Sequence, residues 1–208
     1  MSVAILGLGN MGKGLAKRLA GKTELVLGVR DTATAAEFAK GLVGPVTVSS
    51  YEDAAAAADI VILALPYGAA LEVTTLPALK GKIVVDISNP VKPDFSGLSI
   101  GHTTSAAEEL QKAAPNARIV KAFNTIFAGL FDAPVEATRN VPVFLAGNDA
   151  AAVDAVADLV TKAGFAVEKV GGLDGARLVE PVGMLNIRFG YGLGKGTGIA
   201  PSWLTLAA

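Results

Sequence analysis

The sequence predicts a doubly wound α/β fold built on a mostly parallel sheet, with a small helical segment at its C-terminal end. Three observations carry this. Short runs of Val, Ile and Leu alternate with alanine-rich stretches along most of the chain. The runs are apolar at nearly every position rather than at every second one, as in strands buried on both faces. Gly7, Gly9 and Gly12 form G-x-G-x-x-G directly after the first run and open the first helical stretch. Together these define a Rossmann-type arrangement, with helices covering both faces of the sheet.

The elements follow in order. VAILGL (3–8) is the first strand, and MGKGLAKRLAG (11–21), with apolar residues three and four apart, is the helix behind it. ELVLGV (24–29) is the next strand, TATAAEFAKGL (32–42) a helix, TVSS (47–50) a short strand and EDAAAAA (52–58) a short helix. DIVILALP (59–66) and KIVVDIS (82–88) are β-branched runs and read as buried strands. SAAEELQKAA (105–114) is helical, ARIVKAF (117–123) a strand, and PVFLAG (142–147) and AVEKVG (166–171) are strands flanking a helix over 149–164. After Gly172 the composition changes. DGARLVEPVGMLNIRF reads as a helix with Asp174 as its N-cap and a kink at Pro181, leading into a glycine-rich tail. The expected division is a dinucleotide-binding domain over 1–172 and a small C-terminal segment over 173–208.

Composition narrows the function. The chain has 208 residues, 51% of them apolar, which suits one generous core. A net charge of −1 argues against nucleic-acid or membrane-surface binding driven by positive charge. There is no cysteine, and His102 is the single histidine, so thiol chemistry and histidine-rich metal sites are excluded and no metal is expected. No basic segment precedes the apolar N-terminus, and Asp59 and Pro66 interrupt the longest apolar region, which falls short of the roughly 18 residues of a spanning helix. A soluble cytoplasmic protein is the expectation.

The glycine cluster is the first motif with chemistry in it. Gly7 permits a tight turn, Gly9 lets a pyrophosphate approach the backbone, and Gly12 lets the helix pack close to the sheet. The helix N-terminus offers unpaired N–H groups and a positive dipole end to the phosphates. The second strand ends in GVRD (28–31). Arg30 would pair a 2′-phosphate, favouring NADP(H), whereas Asp31 would receive the free ribose hydroxyl of NAD(H).

Ligands of such sheets sit beyond the carboxyl ends of the strands, here Leu65–Pro66–Tyr67, Ser88–Asn89–Pro90 and Asn124–Thr125. A nicotinamide laid across them would find apolar backing in Pro66 and hydrogen-bond partners in Ser88, Asn89 and Asn124. The competing reading is that these residues simply end strands and serve turns. Lys121, with apolar neighbours on both sides, is expected near a sheet edge or with its ammonium extended to solvent. His102 reads as a solvated loop residue. No Ser–His–Asp arrangement or carboxylate pair is legible, and hydride transfer between two rings needs positioning more than acid–base power.

GLGNMGKGLAKRLA, VVDISNP, SAAEELQKAAPNARIVKAFNT and LNIRFGYGLGKGTGIAPSW together resemble the F420-dependent NADP oxidoreductases and their bacterial relatives, over nearly the whole chain. The resemblance implies a hydride passed between C4 of NADP(H) and C5 of a deazaflavin, F420, or a flavin-like acceptor. It implies a pyrophosphate site at Gly7, Leu8, Gly9, Asn10, Met11 and Gly12, with Arg30 on the 2′-phosphate. It also implies an acceptor slot lined by Phe127, Met184, Leu185 and the tail around Gly192, with Asn124 as a positioning residue. Two positions depart from the family pattern. Val29 stands where a serine is common, and Asn124 where archaeal members tend to carry a histidine, which leaves the acceptor open. Lys195, Arg188, Arg177 and Lys121 are candidates to meet an anionic acceptor tail. The alternatives are reduction of a small imine, carbonyl or quinone, and a non-catalytic dinucleotide sensor with its slot blocked by Phe127 or the tail. A homodimer is expected, because the apolar C-terminal segment is too short to bury itself.

Overall fold

The structure, a computed structural model, describes residues 1–204 and 206, so positions 205, 207 and 208 of the expected C-terminal segment lie outside the described residues. Eight strands form one sheet in the order β3-β2-β1-β4-β5-β6-β7-β8. β1 (Ser2–Leu6), β2 (Glu24–Gly28), β3 (Val46–Ser49), β4 (Ile60–Leu63), β5 (Ile83–Asp86) and β6 (Arg118–Lys121) run parallel. β7 (Pro142–Gly147) is antiparallel to β6, and β8 (Ala166–Lys169) is parallel to β7. An apolar run does not encode its direction. Between β6 and β7 the chain carries only a 3-10 turn (Ala128–Phe131) and the single-turn α6 (Val135–Thr138), so there is no long helix to make a crossover.

The strands alternate their side chains between two cores, both apolar. Val3, Ile5, Ile60, Ile62, Val85 and Val120 face α1 (Asn10–Leu19) and α7 (Ala150–Lys162). Ala4, Leu6, Val61, Leu63 and Val84 face α3 (Tyr51–Ala57), α4 (Tyr67–Val73) and α5 (Ala106–Ala113). The helices begin where short polar side chains supply an acceptor: Asp31 caps α2 (Thr32–Lys40), Ser50 caps α3, Ser105 caps α5 and Asp149 caps α7. α4 is a helix that the strand-end reading of Pro66–Tyr67 did not anticipate. Pro66 precedes it, where a missing N–H costs nothing.

α8 (Ala176–Ile187) continues into a π-turn (Arg188–Gly192) and lies across the carboxyl ends of β5 and β6. Asp174 is not its N-cap. It sits in a 3-10 turn (Leu173–Gly175), and Gly175 holds the cap position with no side-chain bond. The helix runs on through Pro181. No described helix is long and apolar enough to cross a membrane.

Candidate functional site

β1 hands the chain to α1 through Gly7, whose φ of +99° only glycine adopts freely. A Cβ there would stand 2.6 Å from the Ala64 carbonyl oxygen, so the turn is pressed against the end of β4. Gly12 packs against the Gly7 carbonyl, again with no room for a side chain. Gly9 differs: nothing lies within 4 Å of its would-be Cβ, so its backbone faces open space. It is the N-cap of α1, without a capping side chain and without an acidic residue in the first turn, which leaves the helix dipole unopposed there. These are the features a pyrophosphate needs.

The loop forms one wall of a cleft of about 400 Å³ that also contains Arg30, Leu65 and Pro66. The structure thus brings together residues the sequence placed at the ends of three different strands. It adds Lys13, Thr34, Phe38 and Tyr51, which sequence reasoning missed. Asn10 and Met11 follow Gly9 as the first residues of α1. Asp31 accepts from Ala33 N–H at 3.1 Å, Thr34 N–H at 3.4 Å and the Thr34 hydroxyl at 2.8 Å. The bonds from Thr34, more than any other cause, hold its carboxyl below the ordinary range. The carboxylate is committed to capping α2, while Arg30 makes no ion pair among the described residues.

The second cluster lies at the ends of β5 and β6. Phe123, fully buried among Phe131 and Phe165, has φ +57°, a strained value for a bulky residue, costing about 1–3 kcal/mol. This turn ends the strand and presents Asn124–Thr125 to α8. Asn124 Nδ2 donates to Asn89 Oδ1 at 2.9 Å and to the Val179 carbonyl at 3.0 Å, and Asn89 Nδ2 donates to the Asn124 carbonyl at 2.7 Å. Asn186 donates to the Thr125 carbonyl at 3.1 Å, and Gly183 has no room for a Cβ against Asn89. The polar residues of this strand end therefore dock a helix. Ser88 Oγ, Asn124 Oδ1 and Thr125 Oγ1 are buried there without a partner among the described residues, and Pro90 completes the segment by accepting from Ser99.

Lys121 corrects an expectation. It is neither at an edge nor solvated but 0% exposed, its Nζ 2.8 Å from Asp86 Oδ2, 2.7 Å from Glu180 Oε1 and 2.5 Å from the Ser88 carbonyl. Two hydrogen bonds, to Asp86 and to the Ser88 carbonyl, and the ion pair with Glu180 surround the ammonium, which is why the charge can be buried. Glu180 also accepts from Ala106 and Ala107 N–H at the start of α5, at 3.0 and 3.4 Å. Burial pushes its carboxyl above the ordinary range, and Lys121 pulls it back. A signal was present in the sequence: Asp86 and Lys121 are opposite charges, each inside an apolar run, and they are register partners on adjacent strands.

A third feature is a cleft of about 750 Å³ between α8, the π-turn and the loop after β5, lined by Phe95, Met184, Arg188, Tyr191, Gly192 and Leu193, among others. Met184 and Gly192 were expected there. Phe127 is buried edge-on against Tyr191 at 5.4 Å, behind the lining, and Leu185 is half exposed outside it. Of the four candidate cations, Arg188 lines the cleft and Lys195 lies 4.9 Å over the Phe189 ring. Arg177 is held by both oxygens of Glu108, and Lys121 is buried. His102, at φ +60°, is an exposed loop residue beside Pro181 and Met184.

The match that decides the family spans the chain. It is 32% identical to the F420-dependent NADP reductase of Methanocaldococcus jannaschii, covering 96% of this chain and 97% of that one. The chain belongs to the F420-dependent NADP oxidoreductase family. The family model, described as NADP oxidoreductase, coenzyme F420-dependent, matches residues 2–90, which hold the glycine loop, Arg30 and the end of β5. A crystal structure from Arthrobacter sp. FB24, provisionally described as an F420-dependent NADP-reductase, superposes with TM-score 0.80 at 32% identity and covers 95% of this chain and 96% of that one. The rat metalloreductase STEAP3 is 31% identical over 86% of this chain, which spans only 36% of STEAP3. Membership makes this F420-dependent NADP oxidoreductase relative an enzyme, an oxidoreductase working with NADP(H).

Proposed function

We propose that this chain is a cytoplasmic enzyme, working as a homodimer, that passes a hydride between NADP(H) and a deazaflavin of the F420 type, a flavin-like ring being the alternative acceptor. The observation that carries the acceptor is the 750 Å³ cleft built by the C-terminal segment: mostly apolar, walled by Phe95, Met184 and Tyr191, with one guanidinium, Arg188, at its side. Such a slot suits a flat ring with an anionic tail. On this reading residues 1–172 serve the dinucleotide and residues 173–208 complete the acceptor slot.

The residues at the dinucleotide cleft fit the cofactor. Gly9 leaves open backbone at an uncapped helix start, and Arg30 makes no ion pair among the described residues while Asp31 is committed to α2. Leu65 and Pro66 supply apolar walling. Ser88, Asn89, Pro90 and Asn124 lie outside the lining of that cleft, and their part at the ring end rests on the buried Ser88 Oγ and Asn124 Oδ1, which have no partner among the described residues. Gly9, Arg30, Leu65 and Pro66 would hold NADP(H), which would supply the hydride from nicotinamide C4 to the acceptor ring's C5, the accompanying proton coming from solvent. The protein's share is orientation: α8, docked through Asn124, Gly183 and Asn186, sets the distance between the two clefts.

The homodimer is supported by an apolar groove of about 610 Å³ over β7, β8 and α8, where Leu178 and Trp203 are 70% and 72% exposed. Leu178→Glu is expected to yield monomer in sedimentation velocity.

The test of the activity is the loss of deazaflavin absorbance on adding NADPH, with NADH and FMN in parallel. Bleaching with NADPH and deazaflavin supports the full reading. Turnover of FMN alone would move the acceptor to a flavin. Binding of NADPH without turnover of either ring would sink the acceptor assignment and direct the search to small imines, carbonyls and quinones.

A further inference from the structure

We propose that Lys13 is a second cation of the dinucleotide cleft and that, with Arg30, it selects the 2′-phosphate of NADP(H) over the free ribose hydroxyl of NAD(H). The inference rests on the dinucleotide reading above and adds a specificity residue that neither the glycine motif nor the end of β2 indicates. Lys13 leaves the first turn of α1, and its Nζ lies 5.8 Å from the Phe38 ring centroid. That places the ammonium against α2, on the wall of the same cleft that Arg30 lines.

The other groups in the cleft, with the Tyr51 hydroxyl as a further neutral donor, leave room for a second cation. A phosphate monoester carries about −1.5 to −2 charges at pH 7, which one guanidinium does not neutralise. Val29 offers no hydroxyl. Thr34 has one, but it is donated to Asp31 Oδ2 at 2.8 Å. Asp31 adds a negative charge near the site, offset only by its bonds to the start of α2. Neither Lys13 nor Arg30 has an ion-pair partner among the described residues. Two unpaired cations of one cleft, beside a committed acid, form a match for a dianion.

The experiment uses the full chain and four variants, Lys13→Met, Lys13→Arg, Arg30→Met and the double Lys13→Met/Arg30→Met. Dissociation constants are measured for NADPH, NADH, 2′,5′-ADP and 5′-AMP at low and moderate salt, with circular dichroism to check folding. Lys13→Met is expected to weaken NADPH and 2′,5′-ADP by about tenfold or more, as loss of a charge-assisted contact does. NADH and 5′-AMP should stay within about twofold, the salt dependence for NADPH should flatten, and Lys13→Arg should restore most of the affinity. Equal weakening of NADPH and NADH would assign Lys13 to the pyrophosphate or to the fold and overturn the inference, and so would no change at all. Failure of the dinucleotide reading looks different: Arg30→Met would then also leave the NADPH to NADH ratio untouched. If Arg30→Met collapses that ratio and Lys13→Met does not, the inference about Lys13 falls alone.

Discussion

Replacing Lys121 by Met removes the ammonium from between two buried carboxylates and leaves its apolar stem. Lys121 and Asp86 are 0% exposed and Glu180 is 1% exposed, so no water can take over the lost bonds. Breaking a buried ion pair by deleting one partner costs about 3–5 kcal/mol, a large share of the roughly 5–15 kcal/mol that holds a typical domain. At about 2–4 °C per kcal/mol for a chain of this size, the melting temperature should fall by about 6–20 °C. The loss should also depend on pH. Glu180 is already pushed above its ordinary value of 4.5 by burial, with Lys121 opposing the shift. Without Lys121 the shift grows. A raised carboxyl contributes stability that is fully present below its unfolded value and is lost as pH rises through its folded value. The variant should therefore be closest to the parent near about pH 5 and furthest from it near about pH 8. Urea unfolding across that range measures both quantities. A deficit below about 1 kcal/mol at the alkaline end, or one that does not change with pH, would refute the picture of an ammonium shared by two carboxylates. Adding Glu180→Gln should recover part of the loss, because it removes one of the two stranded charges.

Gly183→Ala places a Cβ 2.7 Å from the Asn89 side chain and 2.8 Å from the Asn124 carbonyl oxygen, so α8 must lift from the strand ends. The expected cost is about 1–3 kcal/mol with a matching fall in turnover, read by thermal unfolding and steady-state kinetics. Asn124→Ala loses the bonds to Asn89 and Val179 and should lower stability by about 1–3 kcal/mol while reducing kcat more than NADPH affinity. If stability, affinity and turnover all stay unchanged, the strand end is an ordinary turn. Asp31→Asn keeps an acceptor for α2 and should leave NADH affinity within about twofold, since the carboxylate caps the helix rather than holding a ribose, while the NADPH to NADH ratio should rise because a negative charge beside the 2′-phosphate site is gone. In the parent, protection of the Ala33 and Thr34 amides, taken relative to the intrinsic exchange rate at each pH, should fall as pH falls through the depressed carboxyl value of Asp31, because a lowered acid stabilises only while ionised.

The strands, the helices behind them other than α4, and the glycine loop were legible in the sequence because they are written in local periodicity and in glycines at fixed spacing. Continuous apolar runs state burial on both faces, and Gly7, Gly9 and Gly12 are constrained by the turn they build. Arg30, Leu65 and Pro66 could be named because any parallel sheet gathers its carboxyl strand ends. The direction of β7 was not legible, since pairing sense is set by the connection and not by the strand's own residues. Tertiary structure alone decided the fate of the charges. Lys121 in isolation reads as a solvated lysine, and only Asp86 one strand away and Glu180 on α8 make its burial affordable. Arg30 is the favoured candidate in sequence, but Asp31 competes with it until the cap of α2 takes the carboxylate. Asn124 follows the same rule. A polar residue at the end of an apolar strand announces that something must satisfy it, but the partner lies 55 residues further on at Val179, and long-range partners are not written in a local pattern.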